Sequence, residues 1–152
     1  MKRTAIKKKS SDPVKKLAKE LETISHEYIR RRDGIDNELK GYCVDCGKYC
    51  EGQNWQCGHF EASGSGGALL RYHPHNMHGQ FSGCNMAYSQ ERVKIAYTLK
   101  MIDKYGREYV DKLRSYRHKT IKADIIFYTT MIDLYRKGVE KDIVAYLESL
   151  IH

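Results

Sequence analysis

The feature that most constrains this 152-residue chain is the crowding of its metal- and proton-binding side chains. Residues 41–88 hold all five cysteines, the only tryptophan and four of the seven histidines. Within them, Cys43-Val-Asp-Cys46-Gly47 is a C-x-x-C followed by glycine, a turn in which two thiolates converge and backbone amides point at the sulfurs. This is the pattern of a zinc knuckle. A thioredoxin-type redox pair would need an α/β setting with the motif opening a helix, and nothing upstream reads as a strand. A tetrahedral structural zinc takes four ligands, and Cys84 is expected as the third. Where a second C-x-x-C would put its first thiolate, the chain has Phe81. Cys57, His78 and Cys50 are the candidates for the fourth position. Cys57 is preferred, because a strand over residues 54–60 would turn Cys57 and His59 to one side, toward a following helix.

On either side of this segment the pattern is helical. Asp12 and Pro13 supply a cap and a first-turn residue, and Val14, Leu17, Leu21, Ile24 and Tyr28 recur at helical spacing, so a helix is expected from Pro13 to about Arg32. Asp33-Gly34 ends it, and a polar connector runs to Lys40. Further on, Val93, Ala96, Leu99 and Ile102 form one expected stripe, broken by Gly106. Three more groups follow: Glu108 to about Arg117, then Ile121 to Tyr135, then Ile143 to Leu150. The expected fold is α+β and mostly helical: a small zinc-knuckle (treble-clef, ββα-metal) core flanked by an N-terminal helix and C-terminal helices. The expected organisation is a disordered basic arm over 1–12, helix and connector over 13–40, the core over 41–90 and a helical region over 91–152.

Charge narrows the partners. The formal net charge is +8, and nearly all of the excess sits in the first nineteen residues, where eight cations face Asp12 alone. An arm of this kind, with Lys7, Lys8 and Lys9 at its centre, suits phosphate neutralisation, so DNA is the expected partner. No apolar stretch approaches the roughly 20 residues of a membrane span, and no apolar segment follows the basic N-terminus as a signal peptide would require. The cysteines therefore point to metal chemistry in a reducing, cytoplasmic compartment, that of the host cell if the chain is phage-encoded.

The chemistry-bearing trio is His59, Asn76 and Asn85. His59 ends a strand-like segment, Asn76 lies seventeen residues on and Asn85 nine after that, just past Cys84 where a helix should begin. This order resembles the HNH, or ββα-metal, nucleases. There a hairpin presents a histidine as general base, an asparagine fixes the loop and the imidazole, and a His or Asn early in the helix holds a divalent cation.

Longer motifs carry a closer resemblance. Cys43-x-x-Cys46-Gly47, Trp55-x-x-Gly58-His59-Phe60, Leu70-Arg71-Tyr72, Asn76-x-His78-x-Gln80 and Cys84-Asn85 are similar to the phage NinG/Rap family of recombination nucleases. Tyr28-Ile-Arg-Arg-Arg-Asp33 and the stretch from Asp103 to Leu113 extend the similarity, which spans roughly residues 28–113. The resemblance implies a metal-dependent endonuclease acting on branched DNA, such as Holliday junctions and D-loops. It implies a Mg2+ or other divalent ion for catalysis and structural Zn2+ on Cys43, Cys46, Cys84 and a fourth ligand. His59, Asn76 and Asn85 would be catalytic, with Asn85 also on the cation. Arg71, expected on a strand returning toward the site, would hold a phosphate, and a homodimer would suit the two nicks that resolve a junction. Three departures stand out: Phe81 breaks the second C-x-x-C, Gly58 occupies the place of an acidic metal ligand in many HNH enzymes, and Met86-Ala-Tyr-Ser-Gln90 follows Asn85 in place of a Gly-Asn pair. Two other readings compete: a non-catalytic zinc-stabilised DNA-binding accessory protein, and a partner-recruiting helical protein using its many C-terminal tyrosines.

Overall fold

The computed structural model describes residues 12–62 and 67–152. Lys7, Lys8 and Lys9 and the rest of the arm up to residue 11 lie outside them. Helix α1 runs Pro13–Arg32, opened by the Asp12 carboxylate accepting from the Val14 amide and closed with Arg30, Arg31 and Arg32 in its last turn, where cations complement the helix dipole. Leu21, Ser25 and Ile29, spaced by four, are its buried line.

Two antiparallel hairpins follow. Strands β1 (Lys40–Tyr42) and β2 (Tyr49–Glu51) flank the C-x-x-C turn, with Gly41 opposite Cys50. A strand therefore does precede the cysteine turn, against expectation. At three residues with a glycine in the middle it carries no alternation to read. Strands β3 (Trp55–His59) and β4 (Met77–Phe81) pair from Trp55–Phe81 to His59–Met77. The long connection between them contains helix α2 (Gly67–Tyr72), and helix α3 (Ser82–Met86) follows β4 at once. Arg71 lies on α2 and not on a strand, because Ala68-Leu69-Leu70 buries Leu69 and Leu70 through helical neighbours.

Helices α4 (Glu91–Tyr105), α5 (Arg107–Ser115), α6 (Ile125–Lys137) and α7 (Glu140–Ser149) complete the chain. Gly106 at φ 84° separates α4 from α5, a backbone conformation that glycine reaches without strain. On α4 the buried line is Val93, Tyr97 and Met101, whereas Leu99 of the expected stripe is exposed. Val93, Tyr97 and Met101 are spaced by four and share one face, and Leu99, two residues from both Tyr97 and Met101, falls on the opposite face.

One apolar core joins α1, β3, α2, β4 and the C-terminal helices through Leu21, Leu70, Met77, Tyr97, Phe127 and Leu147. A second, smaller cluster of Cys43, Cys50, Trp55, Cys84 and Val93 lies under the cysteine turn. Tyr97, Tyr116 and Tyr135 are buried and Tyr105, Tyr109, Tyr128 and Tyr146 half-buried, so the aromatic stock of the C-terminal helices is core and not an open docking face.

A polar clamp fixes α1 to the second hairpin. The Arg32 guanidinium donates to the Asp33 carboxylate at 2.7 Å, to the Met77 carbonyl at 2.7 Å, to the Pro74 carbonyl at 2.9 Å and to Glu140 at 2.9 Å. Asp33 in turn accepts from the Gly79 amide on β4 at 2.8 Å. Burial works against the Glu140 charge, but the His75 hydrogen bond and Arg32 overcome it and hold Glu140 down at about 2. The folded value lies below the ordinary 4.5, so this contribution to stability is complete above that value and is lost as pH falls toward 2. Acid titration followed by circular dichroism is expected to show this loss, and E140Q to flatten it. Arg32→Met, which strands two part-buried carboxylates, should cost about 3–5 kcal/mol in denaturant unfolding.

Candidate metal centre and catalytic site

The cysteine turn is closed by backbone bonds from the Gly47 amide to the Cys43 carbonyl at 3.0 Å and from the Cys43 amide to Lys48 at 2.9 Å, with Gly47 at φ 74°. Cys84 reaches it from α3. The ligand atoms of Cys43, Cys46, Cys84 and Asp45 all lie within 4.8 Å of one another. Three thiols and a carboxylate suit a borderline-soft ion such as zinc. The Asp45 carboxylate is held facing the thiols, since one oxygen lies 2.8 Å from the Cys43 sulfur and the other accepts from the Gln80 amide at 2.8 Å. Without an ion, burial and the Asp45 hydrogen bond push the Cys43 thiol up to about 12, and burial, Asp45 and Cys46 push Cys84 up as well. Metal binding at this group therefore displaces protons and strengthens as pH rises.

The fourth position preferred for Cys57 thus falls to Asp45. Cys57 is buried in the main core with Leu21 and Met77, turned toward α1. The other candidates are engaged elsewhere. Cys50 donates to the Lys48 carbonyl at 3.2 Å. His78 is buried between the Tyr97 and Tyr105 hydroxyls; since Tyr97 donates to the Gly58 carbonyl, His78 Nδ1 donates to Tyr97 and its Nε2 accepts from Tyr105, leaving no free lone pair. Phe81 takes the place of the missing cysteine and carries the Lys48 ammonium 4.2 Å above its ring.

His59 stands at the end of β3, half-buried. Its Nε2 lies 2.9 Å from the Arg71 carbonyl. A carbonyl only accepts, so Nε2 carries the proton and Nδ1 keeps its lone pair. Burial holds the His59 pKa below 6.5, partly offset by that carbonyl, so the ring is neutral and basic at neutral pH. Asn76, fully buried, ties the connection that positions Arg71: it accepts from the Glu61 amide at 2.8 Å and donates to the Glu61 and Leu70 carbonyls at 3.0 and 2.9 Å. Asn85 is the fourth residue of α3 and donates to Gln56 at 2.9 Å. Asn76 thus ties the connection through backbone carbonyls and amides, which no sequence pattern displays.

Gly58 has a structural cause. A Cβ there would collide with the end of the Gln80 side chain, so a larger residue would have to displace Gln80 from Asp45. The Arg71 guanidinium lies 3.5 Å from Glu22 on α1, half-exposed, beside a cleft that α1 forms with β3 and α3. His26, which the sequence patterns do not single out, lines that cleft with Asn85, and its ring packs edge-on to His59 with centroids 5.7 Å apart. Burial and the neighbouring His59 pull His26 down to about 4. The signal is there as Glu22-x-x-x-His26 on one helix face, but nothing in the sequence says which face meets the hairpin. On its other side His59 borders a cleft of about 460 Å3 whose cationic lining is Lys94, Arg114 and Arg117, with the exposed Tyr88 at its edge.

The sequence profile described as Bacteriophage Lambda NinG protein matches residues 1–143. The chain belongs to the NinG family. No curated protein and no solved structure matches it. Among the described residues of this NinG-family chain, no helix is long and apolar enough to cross a membrane.

Proposed function

We propose that this NinG-family protein is a metal-dependent DNA endonuclease of the HNH type, acting on branched recombination intermediates such as Holliday junctions and D-loops in the cytoplasm of a phage-infected cell. The observation that carries the reading is the hairpin–helix unit β3, β4 and α3. It holds a neutral imidazole with Nδ1 unpaired among the described residues, an asparagine that locks the connection behind it, and a second asparagine on the helix. A non-catalytic zinc-stabilised binding module would have no use for this combination.

In this reading the attacking water loses its proton to His59 Nδ1 as the new P–O bond forms, and the bond to the leaving oxygen breaks. The Arg71 carbonyl holds the imidazole in the correct tautomer and stabilises the imidazolium that results. Asn85 would hold a divalent cation, Mg2+ or a similar ion, which would supply charge neutralisation at the scissile phosphate and the leaving oxygen. Cationic groups on both sides of His59, Arg30 and Arg71 on one and Lys94 and Arg117 on the other, give a DNA backbone a path across the site. Branched-substrate preference and pairing of two copies across a junction rest on the family resemblance.

The reading is tested by a cleavage assay on matched duplex, flap and four-way-junction DNA with and without Mg2+. Cation-dependent cutting of the junction is expected, and no cutting of any substrate would refute it. The acid limb of kcat/KM should inflect below pH 6.5, reporting the depressed His59 pKa. Two variants separate binding from turnover. Deleting residues 1–11 should weaken DNA affinity and flatten its salt dependence while turnover at saturating DNA persists. Arg71→Ala keeps the backbone carbonyl that holds His59, so its loss should be that of a charge-assisted phosphate contact, about 1.5–3 kcal/mol in turnover, with a smaller effect on binding.

A further inference from the structure

The α1 cleft brings together two acceptor groups that the described residues leave without a donor, His26 and Asn85, beside the Glu22 carboxylate that pairs with Arg71. Neither ring nitrogen of His26 has a hydrogen-bond partner among the described residues; the side-chain bond that reaches this residue runs from Arg30 to its backbone carbonyl. Asn85 is oriented by a chain of bonds that fixes its amide. The Gln53 carbonyl can only accept, so the Gln56 amide nitrogen points to it at 3.1 Å. That turns the Gln56 oxygen toward Asn85 at 2.9 Å, and Asn85 must present its nitrogen there. The Asn85 Oδ1 is left over, without a donor among the described residues. Glu22, one helical turn before His26, lines the same cleft.

We propose that this cleft is a divalent-cation site in which α1 supplies His26 as a ligand beside Asn85 Oδ1, with the Glu22 carboxylate at the rim. The proposal rests on the nuclease reading only for what the ion does there; its ligands stand on the cleft itself. A cation at Asn85 alone would have one protein ligand, and Gly58 has no side chain to provide another. An imidazole nitrogen, an amide oxygen and a carboxylate together favour an ion that accepts mixed N/O coordination, such as Mn2+, over Mg2+, which favours an all-oxygen octahedron. Lys19 and Arg30, at the edge of the cleft, suit the phosphate that such an ion would draw in. The edge contact between His26 and His59 puts the ion's ligand next to the base.

The test uses the full chain purified with zinc and Mn2+ as the probe, read by electron paramagnetic resonance of free Mn2+ and by paramagnetic broadening of histidine ring signals in NMR. The expected result is one Mn2+ site that broadens His26 and His59 first, weakened at least about tenfold by H26A and by N85A. H59A should keep Mn2+ affinity within about twofold, because the Arg71 carbonyl and not the ion fixes that ring. H26Q, which keeps the side-chain volume, guards against a folding artefact, and thermal unfolding of each variant is measured alongside. Mn2+ affinity unchanged in both His26 variants, or broadening centred on the cysteine cluster, overturns the proposal. His26-dependent Mn2+ binding without cleavage of any DNA would uphold the cation site and refute the nuclease reading; DNA cleavage with Mn2+ affinity indifferent to His26 would do the reverse.

Discussion

His59→Ala is expected to lower junction cleavage by about 10²- to 10⁴-fold while junction binding is retained, the range typical of losing a positioned general base. The expectation follows from three local facts. The ring is neutral because burial depresses its pKa, its Nε2 is committed to the Arg71 carbonyl, and its Nδ1 is the one lone pair it has to give. No phosphate-binding cation is removed by the substitution, so affinity for DNA should hold. His59→Asn, which keeps a polar group but no base, should be as slow as the alanine variant. Single-turnover cleavage at saturating DNA reads the effect, and a rate for either variant within a few-fold of the unsubstituted protein would end the mechanism.

Removing a metal from the cysteine cluster is the second large effect expected. The cluster under the cysteine turn is Cys43, Cys50, Trp55, Cys84 and Val93, too few carbon atoms to hold two short strands and a five-residue helix in place. Structural zinc in small domains supplies on the order of 10 kcal/mol of folding free energy, so a strong chelator should disorder the β1–β2 hairpin and loosen α3. Trp55, the only tryptophan, is buried there with its indole nitrogen donating to the Arg30 carbonyl at 3.0 Å, so its fluorescence reports the event directly. Elemental analysis should give about one zinc per chain, the stoichiometry of a single four-ligand site. Cys84→Ala and Asp45→Ala should each release the metal more readily, Cys84→Ala more severely because a thiolate is the stronger zinc ligand. Cys57→Ala should leave the zinc content unchanged and cost only core packing. Chelation that alters neither Trp55 emission nor thermal stability would mean that Phe81 marks a site the chain has given up.

The clamp around Arg32 links the two effects. It ties the end of α1 to the β4 strand and to α7, so the helix that carries His26 and Glu22 is anchored to the same hairpin that carries His59. The clamp also reaches the cysteine turn, since Asp33 holds the Gly79 amide and the Gly79 carbonyl accepts from the Val44 amide.

Local patterns are legible in the residues alone. The helix from Pro13 to Arg32 is written in its cap and period, and the C-x-x-C-Gly turn needs only its own six or seven residues to close. The order His59, Asn76, Asn85 and the family motifs are also properties of the string. Each depends on neighbours close in sequence or on spacing, which a reader of residues can count. What the tertiary structure decided depends on which surfaces meet. Asp45, and not Cys57, joins the three thiols of the candidate metal group because Gln80, thirty-five residues away, orients its carboxylate, while α1 covers the face of β3 that carries Cys57. Leu99 is exposed and Tyr97 and Met101 are buried because packing chose the opposite face of α4, which hydrophobicity alone does not select. His26 lies beside His59 because the Arg32 clamp brings α1 across the hairpin. Side-chain chemistry is fixed by sequence, but the company each group keeps is fixed by packing over long separations, and that company decides which histidine is buried between tyrosine hydroxyls and which keeps a ring nitrogen without a partner among the described residues.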